Sequence, residues 1–368
     1  MKNSTRLLSA TGLALIMTTG LGHAQDEAMA LVESAGKVEG TEFCGDQPIV
    51  LGIHDGFGIN GWSKASMAAV RSEAAKCDNV EQLVQIGQMD LQKSIADVNS
   101  MISQGIDGLV IIPDWGRAQL NSLVSATDAG VKVVPWGADP GGEDGTDYVA
   151  YLDWDEAAAG RAWAQWVVDA TGGKGNVVFI GGPAGNPVSG NALAGIEEVF
   201  TENPGINLLT GYDEWPVGNW DAAQIQQAMS ALLSQYSDID AVISDAGGFE
   251  SLGVVRAYEA ADRPLVPLAS LEANELACTY EKLKDSEEGF ELGTISGRNW
   301  IGRVAARKAI AAVAGIENNE PNTFELGIYE SSLDGSERQP TCDGDLPPDG
   351  FVSSQLTPEE LDTYGSTE

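Results

Sequence analysis

Aromatic rings, carboxylates and amides recur in this chain just after short apolar runs, which is where chemistry is usually placed. Residues 48–62, PIVLGIHDGFGINGW, set the pattern. The apolar run 49–53 breaks into His54, Asp55, Phe57, Asn60 and Trp62, spaced by glycines. Later runs end in Asp114 and Trp115, in Trp136 and Asp139, in Asn186, in Trp215 and Trp220, in Asp245, in Glu272 and Asn274, and in Arg298. A flat ring removes the C–H face of a sugar from water, while carboxylates and amides fix hydroxyls by direction. The set suits a neutral polyhydroxylated ligand. Each tryptophan is also a candidate for core packing. Asp114, Asp245 and Glu272 are candidates for helix N-caps, and His54 for a hydrogen-bonded pocket wall.

Other chemistries lack their residues. There is no GxGxxG or Walker loop; the glycine-rich 181–185 fits neither. No GxSxG elbow and no EF-hand pattern occurs. The four cysteines, Cys44, Cys77, Cys278 and Cys342, form no CxxC, and past residue 24 the only histidine is His54, so a Cys/His zinc site lacks its spacing. No cofactor or metal is expected, and no catalytic residue is assigned. Paired acids in so acidic a chain do not imply a hydrolase.

The elements that must hold these residues alternate. The clearest helix spans residues 90–104, with Leu91, Ile95, Val98 and Met101-Ile102 on one face, Asp90 as N-cap and Gly105 as stop. The continuous apolar run 108–112 that follows is typical of a parallel strand covered on both faces. About five strands are expected before residue 153, the last at 148–152, and five between 176 and 296. Strands alternating with helices imply parallel sheets. The count exceeds one (β/α)8 barrel, so two doubly wound α/β lobes fit better, with ligand loops at the carboxyl ends of the strands. The polar stretch 331–368 is expected to wrap a surface.

Residues 1–24 read as a secretion signal: Lys2 and Arg6, an apolar run 7–21, and the small-x-small site Gly22-His23-Ala24. Cleavage after Ala24 would release a secreted mature chain that starts at Gln25. Formal net charge is −35, and −37 without Lys2 and Arg6. That excludes nucleic acid and anionic membranes as partners. Four cysteines in an exported chain imply disulfides, with three connectivities open.

Residues 90–113, DLQKSIADVNSMISQGIDGLVIIP, together with 155–161 and 251–256, resemble the periplasmic sugar-binding proteins of ABC importers, in the ribose- and galactose-binding branch. The lactose-repressor family shares these motifs but carries a DNA-binding head. The resemblance implies two Rossmann-like doubly wound lobes joined by a three-segment hinge, the type I periplasmic binding protein fold. It places lobe 1 at 44–152 and 298–326, and lobe 2 at 153–296 and 328–368, after a lead at 25–43. By position it assigns ligand contacts to Asn60, Trp62, Asp114, Trp220, Asp245, Glu272 and Arg298. An Asp-Arg pair common in the family after the fourth strand is replaced by Trp136-Gly-Ala-Asp139. The lobe scheme pairs Cys44 with Cys77 and Cys278 with Cys342. The function implied is a monomeric, non-enzymatic receptor that delivers a monosaccharide or polyol to an ABC permease. A secreted carbohydrate-acting enzyme and a ligand-presenting receptor for a sensor kinase are the alternatives.

Overall fold

The computed structural model describes residues 20–36, 38–58 and 60–365. The chain runs α1 (Gly20–Ala35), β1 (Ile49–Asp55), α2 (Gly61–Ala74), β2 (Val80–Ile86), α3 (Leu91–Ser103), β3 (Gly108–Ile112), α4 (Leu120–Asp128) and β4 (Lys132–Pro135). It continues through α5 (Glu156–Ala170), β5 (Gly175–Ile180), α6 (Pro187–Glu202), β6 (Ile206–Leu208), α7 (Ala222–Gln235), β7 (Ala241–Ser244) and α8 (Gly248–Ala260). Last come β8 (Leu268–Leu271), α9 (Asn274–Leu283), β9 (Leu292–Ile295), α10 (Ile301–Ala314), β10 (Ile328–Ser331) and α11 (Pro358–Tyr364).

The strands form two sheets, ordered β2-β1-β3-β4 and β10-β9-β8-β7-β5-β6. All pairs are parallel except β10 with β9. In each sheet the order reverses beside its first-formed strand, which opens a crevice at the strand ends. The α/β class with parallel-sheet lobes is as the sequence implied. The apolar run of β3 is buried at every residue, as a strand covered on both faces requires. Asp90 does cap α3, accepting from Lys93 N.

The expected strand at 148–152 is absent. It makes only isolated bridges, Asp144 to Tyr148 and Trp136 to Leu152, because it is the connection leaving the first sheet. The chain returns at α10, which packs on α2, β3 and β4, and leaves again to reach β10. Glu73 of α2 is fully buried at that packing and paired with Arg303 and Arg307 of α10, so the return helix is locked by charge as well as by apolar area.

The tail differs from expectation. Beyond β10 it does not stay with the second sheet: α11 docks on α2, and Phe351 and Leu356 bury against Ala65, Ala68 and Ala69. The three small alanine side chains leave a trough that these two larger apolar side chains occupy. The lead also differs. Residues 20–35 are one helix, with Val32 and Ala35 in the core and Gln25 donating to Tyr329 O and Arg338 O. Most of the secretion signal lies outside the described residues. No helix among the described residues is long and apolar enough to cross a membrane.

Cysteines 44 and 77 are bridged, as are 278 and 342, with Cα atoms 5.4 and 4.4 Å apart. The first bridge closes a separation of 33 residues and contributes about 3–4 kcal/mol in the chain-entropy picture.

Candidate functional site

A narrow cleft of about 50 Å³ lies between the two sheets. From the first sheet's side it is lined by Phe57, Asn60, Trp62, Ser63, Ile112, Asp114 and Gly137; from the other side by Val188, Trp220, Asp245, Ala246, Gly247 and Leu271. Trp154 and Arg298, on two of the connections, complete it.

The loop after β1 is shaped by Asp55, whose Oδ1 accepts from Phe57 N and Gly58 N at 2.9 and 3.0 Å. Gly58 takes φ +67° there, which glycine does without strain. The turn points Phe57 into the cleft. Asn60 caps α2 by accepting from Ser63 N, so Trp62 starts the helix at a fixed orientation. Its indole Nε1 donates to Gly297 O at 2.6 Å, and its ring lies 6.0 Å from those of Trp136 and Trp154. Asp114 is half-buried beside Asp55, with its Oδ2 fully covered; desolvation and that second carboxylate raise its pKa well above the ordinary value.

On the opposite side Trp220 stands edge to face with Phe57, 5.8 Å away. The glycine-rich loop after β5 makes room for it. A Cβ on Gly182 would meet the Trp220 ring at 2.2 Å, and one on Gly181 the Trp215 ring at 2.5 Å. Asp245 Oδ2 accepts from Ser189 Oγ at 2.6 Å, while its Oδ1 is buried without a partner, as is Asp114 Oδ2. Burial pushes Asp245 up to about 6 against the pull of Arg298. Arg298 lies 4.4 Å over the Trp154 ring and pairs with Glu156, which also accepts from Trp154 Nε1. Burial raises Glu156 to about 8, opposed by Arg298 and assisted by Asp245. The cleft thus offers ring faces, buried acceptors and one anchored guanidinium, a donor and acceptor set for hydroxyls.

The structure brings Phe57, Asn60, Trp62, Asp114, Trp220, Asp245 and Arg298 together here. It places the other candidates elsewhere. His54 faces away from the cleft, its Nε2 3.3 Å from Asp97 Oδ2 on α3. Asp55 acts from behind the loop. Trp136 is core, and Trp215 packs on Phe179 and donates to Gly182 O. Asp139 is exposed and accepts from Gly141 N. Trp115 and Asn186 line a second pocket at the cleft's edge, where Asn186 Nδ2 donates to Asp114 O across the two sides. Glu272 accepts from Gly297 N and Ser353 N, and Asn274 binds the tail backbone. None of Asp114, Asp245 and Glu272 caps a helix: α4, α8 and α9 begin on Gln119, Gly247 and Ala273. Trp154 and Glu156 escaped sequence reasoning. Their signal was a Trp-Asp-Glu run at the chain's first exit from a sheet. No group of His, Cys, Asp and Glu that could hold a metal occurs among the described residues.

Residues 55–315 match the family model described as periplasmic binding protein domain. The chain is similar to a xylitol-binding protein of Mycolicibacterium smegmatis, 27% identical over 238 residues, covering 64% of each chain. It is also similar to a D-xylose-binding periplasmic protein of Haemophilus influenzae, 29% identical over 204 residues, covering 54% of this chain and 58% of that one. The matches thus span less than two thirds of these relatives' length. Among solved structures it resembles the periplasmic binding component of the arabinose ABC transporter from Shewanella sp. ANA-3, with TM-score 0.65 and 20% identity over 76% of this chain and 92% of that one. A galactofuranose-binding protein gives TM-score 0.66 and 19% identity over 87% of this chain and all (100%) of that one. The family match covers well over half of the sequence, from the end of β1 through α10, and the chain belongs to the periplasmic binding protein domain family.

Proposed function

We propose that this chain is the solute-binding component of an ABC importer. It closes around one monosaccharide or related polyol and presents it to an inner-membrane permease. The observation that carries the reading is the cleft itself, where Trp62, Trp154 and Trp220 face the buried carboxylates of Asp114 and Asp245 and the guanidinium of Arg298. Rings take the apolar face of the ligand, while Asp114 Oδ2 and Asp245 Oδ1 accept from hydroxyls. Relatives that bind xylitol and D-xylose support a small neutral ligand. The protein acts as a monomer in the periplasm, after removal of residues 1–24. Amino-terminal sequencing of the exported protein should begin at Gln25.

The two sheets with their helices are the moving lobes, 44–152 with 298–326 against 153–296 with the strand at 328–331, and the hinge lies in the connections between them. A thermal-shift screen of pentoses, hexoses, polyols and cyclitols tests the reading. A ligand at 100 times its Kd stabilises the bound form by about 2.7 kcal/mol. A panel without a single shift contradicts it, as does a shift that survives both Trp62→Ala and Trp220→Ala.

A further inference from the structure

The tail beyond β10 is tied to both sides of the cleft, and it lies outside the family match, which ends at residue 315. On the second side the tie is covalent. Cys342 is bridged to Cys278 of α9, and Asn274 Nδ2 donates to Asp343 O and Leu346 O while its Oδ1 accepts from Asp343 N. The tail also completes α9. That helix starts after Ala273, which has no capping side chain, and its first N–H groups, on Asn274 and Glu275, donate to Gly350 O and Pro348 O.

On the first side the tie is apolar and polar together. Phe351 and Leu356 fill the alanine trough of α2, with Trp62 packed against the same cluster. Arg303 of α10 donates to Ser354 O, and Arg71 of α2 to Tyr364 O. The approach is close: a Cβ on Gly61 would meet Asp349 Cβ at 2.6 Å. Between the two ties, Ser353 N and Gly297 N donate to the same oxygen of Glu272, at 3.1 and 2.9 Å. Gly297 O in turn accepts the Trp62 indole. The tail therefore touches the helix, the hinge peptide and the ring that build one wall of the cleft.

We infer that residues 342–365 form a strap that joins the two lobes alongside the hinge and biases the receptor toward its closed arrangement. Opening the cleft moves α2 away from α9. With one end of the strap held by a disulfide, that motion must extract Phe351 and Leu356 from their trough or pull Leu346, Pro348 and Gly350 off the first turn of α9. The strap so raises the fraction of sugar-free protein that is competent to bind, and apparent affinity scales with that fraction. Only the affinity arm of this inference rests on the sugar-binding reading.

Spin labels at Ser103→Cys on α3 and Gln227→Cys on α7, both exposed, report lobe separation by double electron–electron resonance. One variant, Phe351→Ala/Leu356→Ala, releases the first tie; another, Cys278→Ser/Cys342→Ser/Asn274→Ala, releases the second. In either variant with native circular dichroism, the sugar-free distance distribution should lengthen and broaden. The Kd for the best-bound of D-xylose, xylitol and D-galactose should rise about fivefold or more, mainly through faster release. If one variant fails to fold, the other decides. Unchanged distance distributions in the folded variants overturn the strap. Failure of all three probes to bind wild type counts against the sugar reading alone, because the distance measurement needs no ligand.

Discussion

The two walls of the cleft are built differently. The aromatic part of the first-lobe wall comes from one strand–turn–helix unit: Asp55 folds the turn that carries Phe57, with Gly58 at positive φ, and Asn60 caps α2, which starts with Trp62 in place. The rest of the cleft, the second-lobe wall with Trp220 and the connection that carries Arg298, depends on strained or distant groups. Trp220 and Arg298 both sit at positive φ, +49° and +67°, a region that costs ordinary residues of order 1 kcal/mol or more. Trp220 needs a glycine beneath it, and Arg298 needs Glu156 from another segment. One wall is a property of local sequence; the other exists only once the fold has formed. The second wall should therefore be the more fragile to substitution.

The largest effect should come from Arg298→Ala. It removes the guanidinium that stacks on Trp154 and bonds Glu156, and leaving such buried polar partners unmade costs about 1–3 kcal/mol. Urea denaturation should show that loss, and sugar-induced thermal shifts should vanish. A loss no greater than that of Phe57→Ala would remove the asymmetry between the walls.

Next comes Trp220→Ala, or Gly182→Val, whose new side chain would displace the same ring. Calorimetry should show binding weakened by about 2 kcal/mol, roughly 30-fold in Kd, with either change. Gly182→Val with unaltered affinity would mean that the ring's placement against the loop is unimportant.

Asp245→Asn should be milder. It removes a buried charge while keeping an acceptor for Ser189. Affinity should fall about tenfold, near 1.4 kcal/mol, with melting temperature unchanged or raised. A lowered melting temperature would show that the ionised form supports the second wall.

The smallest effect is a pH dependence. Burial, and then the neighbouring Glu272, hold Glu330 at about 8. Burial likewise raises Glu250 to about 7. A carboxyl raised in the folded state binds its proton more tightly there than in the unfolded chain. Its contribution is complete below the ordinary value of 4.5 and is lost as pH climbs through 7 to 8. The melting temperature should thus be several degrees higher at pH 5 than at pH 8, and Glu330→Gln should flatten part of that slope. A slope of opposite sign would contradict the burial argument.

The same asymmetry decided what was legible in the sequence. The alternation of strands and helices, the α3 cap and the strand-end position of the site could be read, because periodicity and capping are local. Strand ends locate a loop without saying which way its side chains face. His54 and Asp55 are adjacent, yet one meets Asp97 on α3 and the other folds the turn. Glu272 and Asn274 sit at a strand end like Asp245, but a tail about 70 residues further on claims them. Trp154 and Glu156 were invisible to strand-end reasoning because they lie on a crossing connection.

The central claim is that three of the nine tryptophans, Trp62, Trp154 and Trp220, enclose the ligand. Indole N–H spectra of the isotope-labelled protein, recorded without and with the sugar that gives the largest thermal shift, test it directly. Resonances of these three should move on saturation, while those of the buried Trp163, Trp166 and Trp300 hold still. Sugar binding that leaves Trp62, Trp154 and Trp220 unmoved would contradict the account.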